Sequence, residues 1–564
     1  MSSLSNMYGC LSGLIIPSRS NRFYPFLRFF CLSEISANCI ALGEQIDGIP
    51  GKCYNSVTAM KVSLKRRLLQ VSLADLEADK PEIIPVHVPR GLRINGYKYT
   101  FLKKPYAHQM AALRRISSLR GGALLMEQGT GKTAVAIHFI GVEHVKRRCN
   151  TALIICPATV SGVWVSEFRK HLPKDLHKNT KILRFFGTRK RRIRKILKAR
   201  KTLGLRICII NFESAWRLEE ELKRLRPQII VVDESHRIKS PRAKQSKALW
   251  RLGQIARYRL ILAGTPVVGG AHDVWSQWNF LDPDVFGTNW WRFQSHYLKK
   301  GGYYGKEIIG YQNLEGLKRK VRASSFIIRK EECLDLPEKI FQNIPVELSE
   351  SSKKLYNDMA TELVAEIEDG SVSTAPIVLV KLLRLAQITS GFLKDLDNNI
   401  HDIGREKVDV CQELIEDRVG DGHQVVVFAR FRHDISRLER ELLKHRISCA
   451  TLTGSTKMKD RDGLVEQFQQ GEYSVFIAQI QAGSLGITLT AADTAIFFSL
   501  DYSLANYLQA TDRLHRIGQT RTVNYLHLIV PRSIDELVYK VLKSKEDLAR
   551  YILKRPRAIL MEST

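Results

Sequence analysis

A glycine-rich run at residues 129–133, Gly-Thr-Gly-Lys-Thr, is the clearest candidate for chemistry in this sequence. It follows the apolar run Ala123–Met126 and precedes an apolar helical pattern, which is the context of a phosphate-binding loop. Glycines let backbone N–H groups surround phosphate oxygens, and Lys132 would reach the terminal phosphates while Thr133 offers a hydroxyl to Mg²⁺. The alternative is a chance glycine-lysine turn, since Met126 stands where such loops usually have their first glycine.

Two adjacent acids follow another apolar run, Ile229–Val232. Asp233 could hold Mg²⁺ through water, and Glu234 could position or deprotonate the water that attacks a γ-phosphate. The alternative is a strand that ends in a charged turn. His236, taken alone, is more typical of a structural histidine.

Arg513 and Arg516 form a third candidate site, within the run Gln509–Gln519. Because they lie three positions apart, they would share one face of a helix and could point at one anionic target. Arginines of this kind can stabilise charge on the phosphoryl oxygens in the transition state. The alternative is a solvated basic helix face.

The elements that must position these residues are short runs rich in Ile, Leu or Val, typical of strands buried in a parallel sheet. The first set is Ala123–Met126, Ala152–Cys156, Ile207–Ile210, Ile229–Val232 and Arg259–Ala263. The second set is Val425–Phe428, Val475–Ala478, Ala495–Phe498 and Leu526–Val530. Two sheets and an α/β fold are therefore predicted. Residues 270–395 lack such runs and have helical periodicity, which predicts a helical insert.

Taken together, the motifs resemble the Swi/Snf-type DNA translocase family of helicase superfamily two, over about residues 100–550. The run at residues 515–519, His-Arg-Ile-Gly-Gln, is close to diagnostic. The other motifs that carry the resemblance are Tyr106–Gln109, Ile154–Pro157 with Trp164 and Phe168, Asp233–His236, Leu262–Pro266, Phe428–Phe431, Gly454–Thr456 and Ala482–Thr490. Two segments, Glu127–Thr130 and Arg329–Pro337, are more similar to compact prokaryotic, viral and phage-like members than to chromatin remodellers.

The resemblance implies two RecA-like P-loop lobes with parallel sheets and a helical insert between them, with ATP and Mg²⁺ in the cleft. The implied nucleotide-binding residues are Gln109, Gln128, Gly129, Thr130, Gly131, Lys132, Thr133 and Gln509. The implied catalytic residues are Lys132, Asp233, Glu234, Arg513 and Arg516, with Thr133 and Asp233 as the magnesium ligands. His236 would have a coupling role.

The implied activity is ATP hydrolysis that drives movement along double-stranded DNA without processive unwinding. One alternative is a helicase that separates DNA or RNA strands. Another is a DNA-binding recruitment module that does not hydrolyse ATP. The intact Lys132, Asp233, Glu234 and Arg516 argue against that module.

The predicted domains are an N-terminal extension, two lobes, the insert and a tail. The extension comprises residues 1–95, lobe 1 residues 96–290, the insert and linker residues 291–395, lobe 2 residues 396–545 and the tail residues 546–564. The extension is expected to be either disordered or the product of an extended gene start, with Met60 an alternative initiator. An organelle-targeting signal in residues 1–30 is left open.

The chain of 564 residues has 88 lysines and arginines against 57 aspartates and glutamates, a net charge of +31. This excess predicts a polyanionic partner such as DNA, and the absence of a long apolar stretch argues against a membrane. The ten cysteines contain no Cys-x-x-Cys pair, so reduced core thiols in an intracellular protein are expected rather than a zinc site.

The basic segment Lys181–Lys201 contains 11 lysines or arginines and no acid. Its apolar residues Ile193, Ile196 and Leu197 predict a helix with one face docked on lobe 1. Its arginines would either face DNA phosphates or simply be solvated. Trp290 and Trp291 are expected to pack in the core rather than to stack on bases.

Overall fold

The computed structural model describes residues 90–94, 96–264, 270–301, 307–368, 375–395, 397, 399–481 and 486–544. These residues belong to one compact unit, 70–564, whereas a second unit, 1–69, lies outside the described residues. The predictions for the N-terminal extension up to residue 89, for the tail 546–564 and for the motif residues 265–266 and 482–485 also lie outside them.

Seven parallel strands form a sheet that, with its helices, we call lobe 1. Residues 91–328 contain these seven strands and four others that form two hairpins. In chain order they are β1 (Gly91–Ile94), β2 (Tyr97–Thr100), β3 (Gly121–Met126), β4 (Thr151–Cys156), β5 (Thr180–Arg184), β6 (Leu205–Asn211), β7 (Ile229–Asp233), β8 (Tyr258–Leu262), β9 (Leu298–Gly301), β10 (Glu307–Tyr311) and β11 (Ser325–Ile328). The sheet order is β11-β3-β8-β7-β4-β6-β5, and the pairs β1-β2 and β9-β10 are separate antiparallel hairpins.

Helices cover both faces of this sheet. They are α1 (Ala107–Ser117), α2 (Lys132–Val145), α3 (Ser161–His171), α4 (Lys174–His177), α5 (Arg189–Arg200), α6 (Phe212–Ala215), α7 (Glu219–Lys223), α8 (Lys244–Ile255), α9 (Asp273–Leu281), α10 (Pro283–Phe286), α11 (Trp290–Tyr297) and α12 (Leu314–Ala323). Short 3₁₀ turns lie at Ala158–Val160, Trp216–Leu218 and Ser235–Ile238.

Alternation along β4 shows how this sheet is buried on both sides. Leu153 and Ile155 belong to one apolar cluster, whereas Ala152, Ile154 and Cys156 belong to the cluster on the opposite face. Because successive side chains of a strand point to opposite faces, a strand with two covered faces must be apolar throughout. This is why the sequence of β4 reads as one continuous apolar run.

Six parallel strands form the second sheet, which with its helices we call lobe 2. Its strands, listed with the hairpin that lies between β12 and β15 in the chain, are β12 (Lys339–Pro345), β13 (Phe392–Lys394), β14 (Ile400–Asp402), β15 (Val425–Ala429), β16 (Cys449–Leu452), β17 (Val475–Gln479), β18 (Thr494–Phe497) and β19 (Val523–Ile529). The sheet order is β12-β19-β18-β15-β17-β16, and β13-β14 is an antiparallel hairpin.

The remaining helices follow β11, and the first of them lies in the connector between the two sheets, residues 329–338. They are α13 (Lys330–Cys333), α14 (Glu350–Glu368), α15 (Ala375–Thr389), α16 (Glu406–Gly420), α17 (Arg432–Lys444), α18 (Met458–Gln469), α19 (Leu504–Thr511) and α20 (Ile534–Ser544). Two apolar clusters again lie on the two faces of the sheet. The α/β fold with two parallel sheets is thus confirmed, and all nine predicted strands are present with ends shifted by a few residues.

The region predicted as a helical insert and linker, 291–395, contains strands as well as helices. It contains the long helices α14 and α15, but it also supplies β11 to the first sheet and β12 to the second. Both are edge strands. β11 has only three consecutive apolar residues, and most residues of β12 are exposed, so neither has the longer apolar run of the central strands. The region therefore contributes one edge strand to each sheet, which sequence reasoning did not predict.

Two smaller packing predictions also need correction. In α5, Ile196 is buried and Ile193 half-buried, but Leu197 is exposed, because Ala199 takes its place on the buried face. Trp290 packs on the core of lobe 1 and stacks on Phe293, whereas the Trp291 side chain is 67% exposed. The cysteines that the structure describes are free thiols, as expected. In the described part of the chain, no helix has both the length and the apolarity needed to cross a membrane.

Candidate active site

The glycine-rich loop connects the end of β3 to the start of α2. Gly129 and Gly131 have positive φ angles of 86° and 91°, which a residue with a side chain rarely adopts. A Cβ on Gly131 would also lie only 2.2 Å from the Gln109 Nε2 atom. Glycine is therefore required here both for the backbone turn and for the close approach of α1. Gln128 precedes the turn, and Thr133 lies in the first turn of α2.

Lys132, the first residue of α2, folds back over this loop. Its ammonium group donates to the carbonyl oxygens of Met126 at 2.7 Å and Glu127 at 3.2 Å. Burial lowers the pKa of Lys132, although the charges of Glu234 and Asp233 oppose this effect. The cation is thus held at the loop, within electrostatic reach of both acids.

Gln109 braces the loop from α1. Its amide donates to the carbonyl oxygen of Thr130 at 3.1 Å and accepts from the Tyr106 backbone N–H at 3.1 Å. His108 also contacts the Thr130 carbonyl oxygen, at 2.8 Å. Gln109 therefore lies at the phosphate loop, and its role in nucleotide binding stays a prediction.

The two acids lie at the carboxyl end of β7, two strands from β3 in the sheet. The Trp164 indole N–H donates to Asp233 Oδ2 at 2.9 Å, and the Glu234 backbone N–H donates to Asp233 Oδ1 at 3.1 Å. Glu234 has a positive φ of 54°, a strained conformation for a residue with a side chain. The two carboxylates have different partners, since Asp233 accepts from Trp164 and Glu234 lies beside His236.

The surroundings of the two acids push their pKa values apart. Burial and the neighbouring Glu234 charge raise the pKa of Asp233 to about 6. Burial alone would also raise the pKa of Glu234, but His236, Lys132 and Arg513 bring it below its ordinary value. His236 Nδ1 lies 3.3 Å from Glu234 Oε2. Glu234 is therefore kept ionised, as a proton acceptor must be.

Arg513 and Arg516 come to this site from lobe 2. They follow the end of α19 at Thr511 and lie in a turn, so the prediction that they share a helix face was wrong. Arg513 is buried, and burial together with Arg516 lowers its pKa to about 10. Arg516 packs on the phosphate loop, since a Cβ on Gly129 would lie 3.0 Å from the Arg516 Cβ. Lobe 2 thus closes over the loop.

Gln509 lies on α19, just before this turn, and its Oε1 atom is buried without a hydrogen-bond partner among the described residues. The other predicted site residues converge at the carboxyl edge of the first sheet. The structure therefore places Gln509 on the correct lobe, and its role in nucleotide binding stays a prediction.

The donors near the loop suit magnesium bound together with a nucleotide. The Thr133 hydroxyl and the Asp233 carboxylate are hard oxygen donors, which Mg²⁺ prefers. Within the described residues, no group of three or more His, Cys, Asp or Glu side chains could hold a metal. Mg²⁺ that binds together with a nucleotide is usually held by one or two protein oxygens plus substrate phosphates.

Sequence reasoning missed Lys330 and Asp512. The buried Lys330 forms an ion pair with Asp512 and lies beside the phosphate loop, although these residues are far apart in sequence. Asp512 immediately precedes Arg513, which was predicted to be catalytic. Lys330 lies in the segment Arg329–Pro337, which is similar to the compact members of the family. No local pattern indicates that these two side chains meet.

The comparisons with protein families agree with this architecture. Residues 32–390 match the SNF2-related domain family, and residues 406–518 match the helicase conserved C-terminal domain family.

Several known proteins are similar to the chain. An uncharacterized ATP-dependent helicase of Mycoplasma genitalium is 30% identical over 439 residues, which cover 77% of this chain and 40% of that protein. The human TATA-binding protein-associated factor 172 is 25% identical over 614 residues, which cover 94% of this chain and 32% of that protein. The chain therefore spans less than half the length of these two relatives.

A solved structure is also similar, the Sulfolobus solfataricus SWI2/SNF2 ATPase core in complex with dsDNA. The match has 24% sequence identity and a TM-score of 0.39, and it covers 83% of this chain and 96% of that chain.

The Trp164 indole gives the site a testable feature. Trp164→Phe removes the hydrogen bond to Asp233 while keeping an aromatic side chain, so Asp233 should bind Mg²⁺ less well. We expect the Mg²⁺ concentration for half-maximal binding of a fluorescent ATP analogue to rise about tenfold. Trp250→Phe is the matched control, because its indole donates to the Ser276 carbonyl oxygen at 2.8 Å, away from the acids. An unchanged Mg²⁺ requirement in Trp164→Phe would contradict this role.

Proposed function

The chain belongs to the SNF2-related family, and from this premise we propose that it hydrolyses ATP to drive movement along double-stranded DNA. The observation that carries the proposal is the meeting of two lobes at one loop. Lys132, Asp233 and Glu234 come from lobe 1, whereas Arg513 and Arg516 come from lobe 2. A site divided in this way changes whenever the lobes move, which is what a motor requires.

The residues of lobe 1 would bind the phosphates and activate water. The loop N–H groups and Lys132 would hold the β- and γ-phosphates. Glu234 would accept a proton from the attacking water while the water oxygen forms a bond to the γ-phosphorus. The bond between this phosphorus and the bridging oxygen would break, and ADP would leave with that oxygen. Mg²⁺, held by Thr133 and Asp233, would neutralise charge on the phosphate oxygens when it is bound.

The residues of lobe 2 would complete the site. Arg513 lies within electrostatic reach of Glu234, and Arg516 packs on the loop at Gly129. From these positions the two guanidinium groups could offset the negative charge that develops on the γ-phosphoryl oxygens. Hydrolysis would then be fast only while the lobes are closed.

Double-stranded DNA is supported as the track by the charge of the chain and by the family to which it belongs. The net charge is +31, and α5 carries six exposed lysines or arginines: Arg189, Lys190, Arg191, Arg194, Lys198 and Arg200. Phosphate contacts from such residues would fix the protein on a duplex without reading its sequence.

The ATPase rate with different nucleic acids tests the proposal. We expect duplex DNA to stimulate ATP hydrolysis more than single-stranded DNA, RNA or buffer, and Lys132→Ala to abolish turnover while leaving DNA binding largely intact. Lys146→Ala, at the other end of α2, is the matched control. Stimulation by RNA alone would favour a strand-separating helicase, and equal rates under all four conditions would rule out a DNA-driven motor.

Movement itself needs a separate readout. ATP-dependent displacement of a third DNA strand from a triplex, without separation of a blunt duplex, is the expected result for a duplex translocase. Separation of the blunt duplex would instead indicate strand unwinding.

The basic face of α5 generates a prediction about salt. Lys190 and Arg194 lie four positions apart and are both exposed. If both contact phosphates, Lys190→Gln with Arg194→Gln should lower the slope of log affinity for duplex DNA against log salt by about 0.9 per lost contact. The same change at the exposed Lys353 and Lys354 of α14 is the control. An unchanged slope would show that α5 is only a solvated basic face.

A further inference from the structure

The connector between the two sheets, residues 329–338, is fixed to the phosphate loop at its beginning. Because β11 runs parallel to β3, Ile328 lies opposite Met126 and both strands end together. The Glu127 backbone N–H donates to the Ile328 carbonyl oxygen at 3.0 Å, and the Lys330 backbone N–H donates to Glu127 Oε2 at 2.9 Å. The position of Lys330 therefore depends directly on the start of the loop.

The Lys330 side chain crosses from this connector to lobe 2. Its ammonium group forms an ion pair with Asp512 and donates to the His515 carbonyl oxygen at 3.0 Å. The two charged side chains are only 5% and 12% exposed. A second link lies further along, where the His515 imidazole N–H donates to the Pro337 carbonyl oxygen at 2.8 Å. The connector thus holds residues 512–515 of lobe 2 at two points.

Lys330 and Arg516 lie next to each other on the same loop glycine. A Cβ on Gly129 would lie 3.2 Å from the Lys330 Cε and 3.0 Å from the Arg516 Cβ. Asp512, which Lys330 holds, immediately precedes Arg513. The ion pair therefore sits where a small displacement of lobe 2 would move both arginines relative to the loop.

We propose that Lys330 is a positioning residue for ATP hydrolysis, whose ion pair with Asp512 holds Arg513 and Arg516 against the phosphate loop. This inference rests on the proposed function. A buried ion pair adds little net stability, because desolvation of the two charges offsets their attraction. Its clearest effect is to fix geometry, since either charge left unpaired in this place would be costly.

Three variants test this role by steady-state kinetics with duplex DNA present: Lys330→Gln, Asp512→Asn and the double variant. Misplaced arginines should lower kcat about 10- to 100-fold in all three, because hydrolysis depends on precise orientation. The KM for ATP should change by less than about twofold, since Lys132 and the loop are unaltered. A single variant leaves one buried charge unpaired and could therefore fold poorly, whereas the double variant leaves none. A lower kcat in the double variant therefore indicates misplaced arginines rather than a folding defect.

A matched control is the buried pair Lys407–Asp535, which lies wholly within lobe 2. Lys407→Gln should lower the melting temperature but leave the kcat of the folded protein near the wild-type value. Hydrogen exchange provides a second readout. The amides of residues 512–516 should exchange faster in the double variant than in the wild type, whereas those of β15 should not.

The outcomes separate this inference from the proposed function. If the wild type does not hydrolyse ATP, the proposed function itself fails. If the wild type is active and the double variant has the same kcat, the positioning role of Lys330 is refuted. A raised KM with unchanged kcat in the double variant would refute it as well.

Discussion

The parallel pairing within the first sheet is the constraint on which the site depends. Strands β3, β7, β8 and β11 run in the same direction, so their carboxyl ends meet at one edge. The phosphate loop, the two acids, Gly264 and the connector each follow one of these ends directly. Groups that are distant in sequence are therefore brought together before any side chain interacts. A ligand site at the carboxyl edge of a parallel sheet is the general expectation for this architecture.

The charges at this edge are mutually dependent, because each of them is buried or half-buried. Burial lowers the pKa of Lys132 and acts to raise the pKa values of both acids, and each opposite charge opposes that shift in its neighbours. Arg513 from lobe 2 helps to keep Glu234 ionised, and Asp512 compensates the buried Lys330. Closure of the lobes therefore changes the electrostatics of both halves of the site. In the proposed motor, this dependence is how nucleotide chemistry would be coupled to lobe movement.

The two sheets and most residues of the site could be predicted from the sequence, because the central strands, the glycine-rich loop and the two acids are local sequence patterns. The edge strands β11 and β12 could not be predicted, since β11 has only three consecutive apolar residues and most residues of β12 are exposed. The spacing of Arg513 and Arg516 suggested a helix, but tertiary contacts of the turn with Ile487 and Leu489 hold them beyond its end. The Lys330–Asp512 pair leaves no local signal, because only the folding of both lobes brings the two residues together.

The central claim is that lobe 2 completes the hydrolytic site of lobe 1. Single-turnover ATP hydrolysis by Arg516→Ala, measured together with ATP affinity, tests it most directly. The account predicts a rate about 10³-fold or more below that of the wild type, as for other arginines that act on phosphoryl transfer, with affinity changed much less. A variant that hydrolyses ATP at the wild-type rate would contradict the account, because lobe 1 alone would then be sufficient for the chemistry.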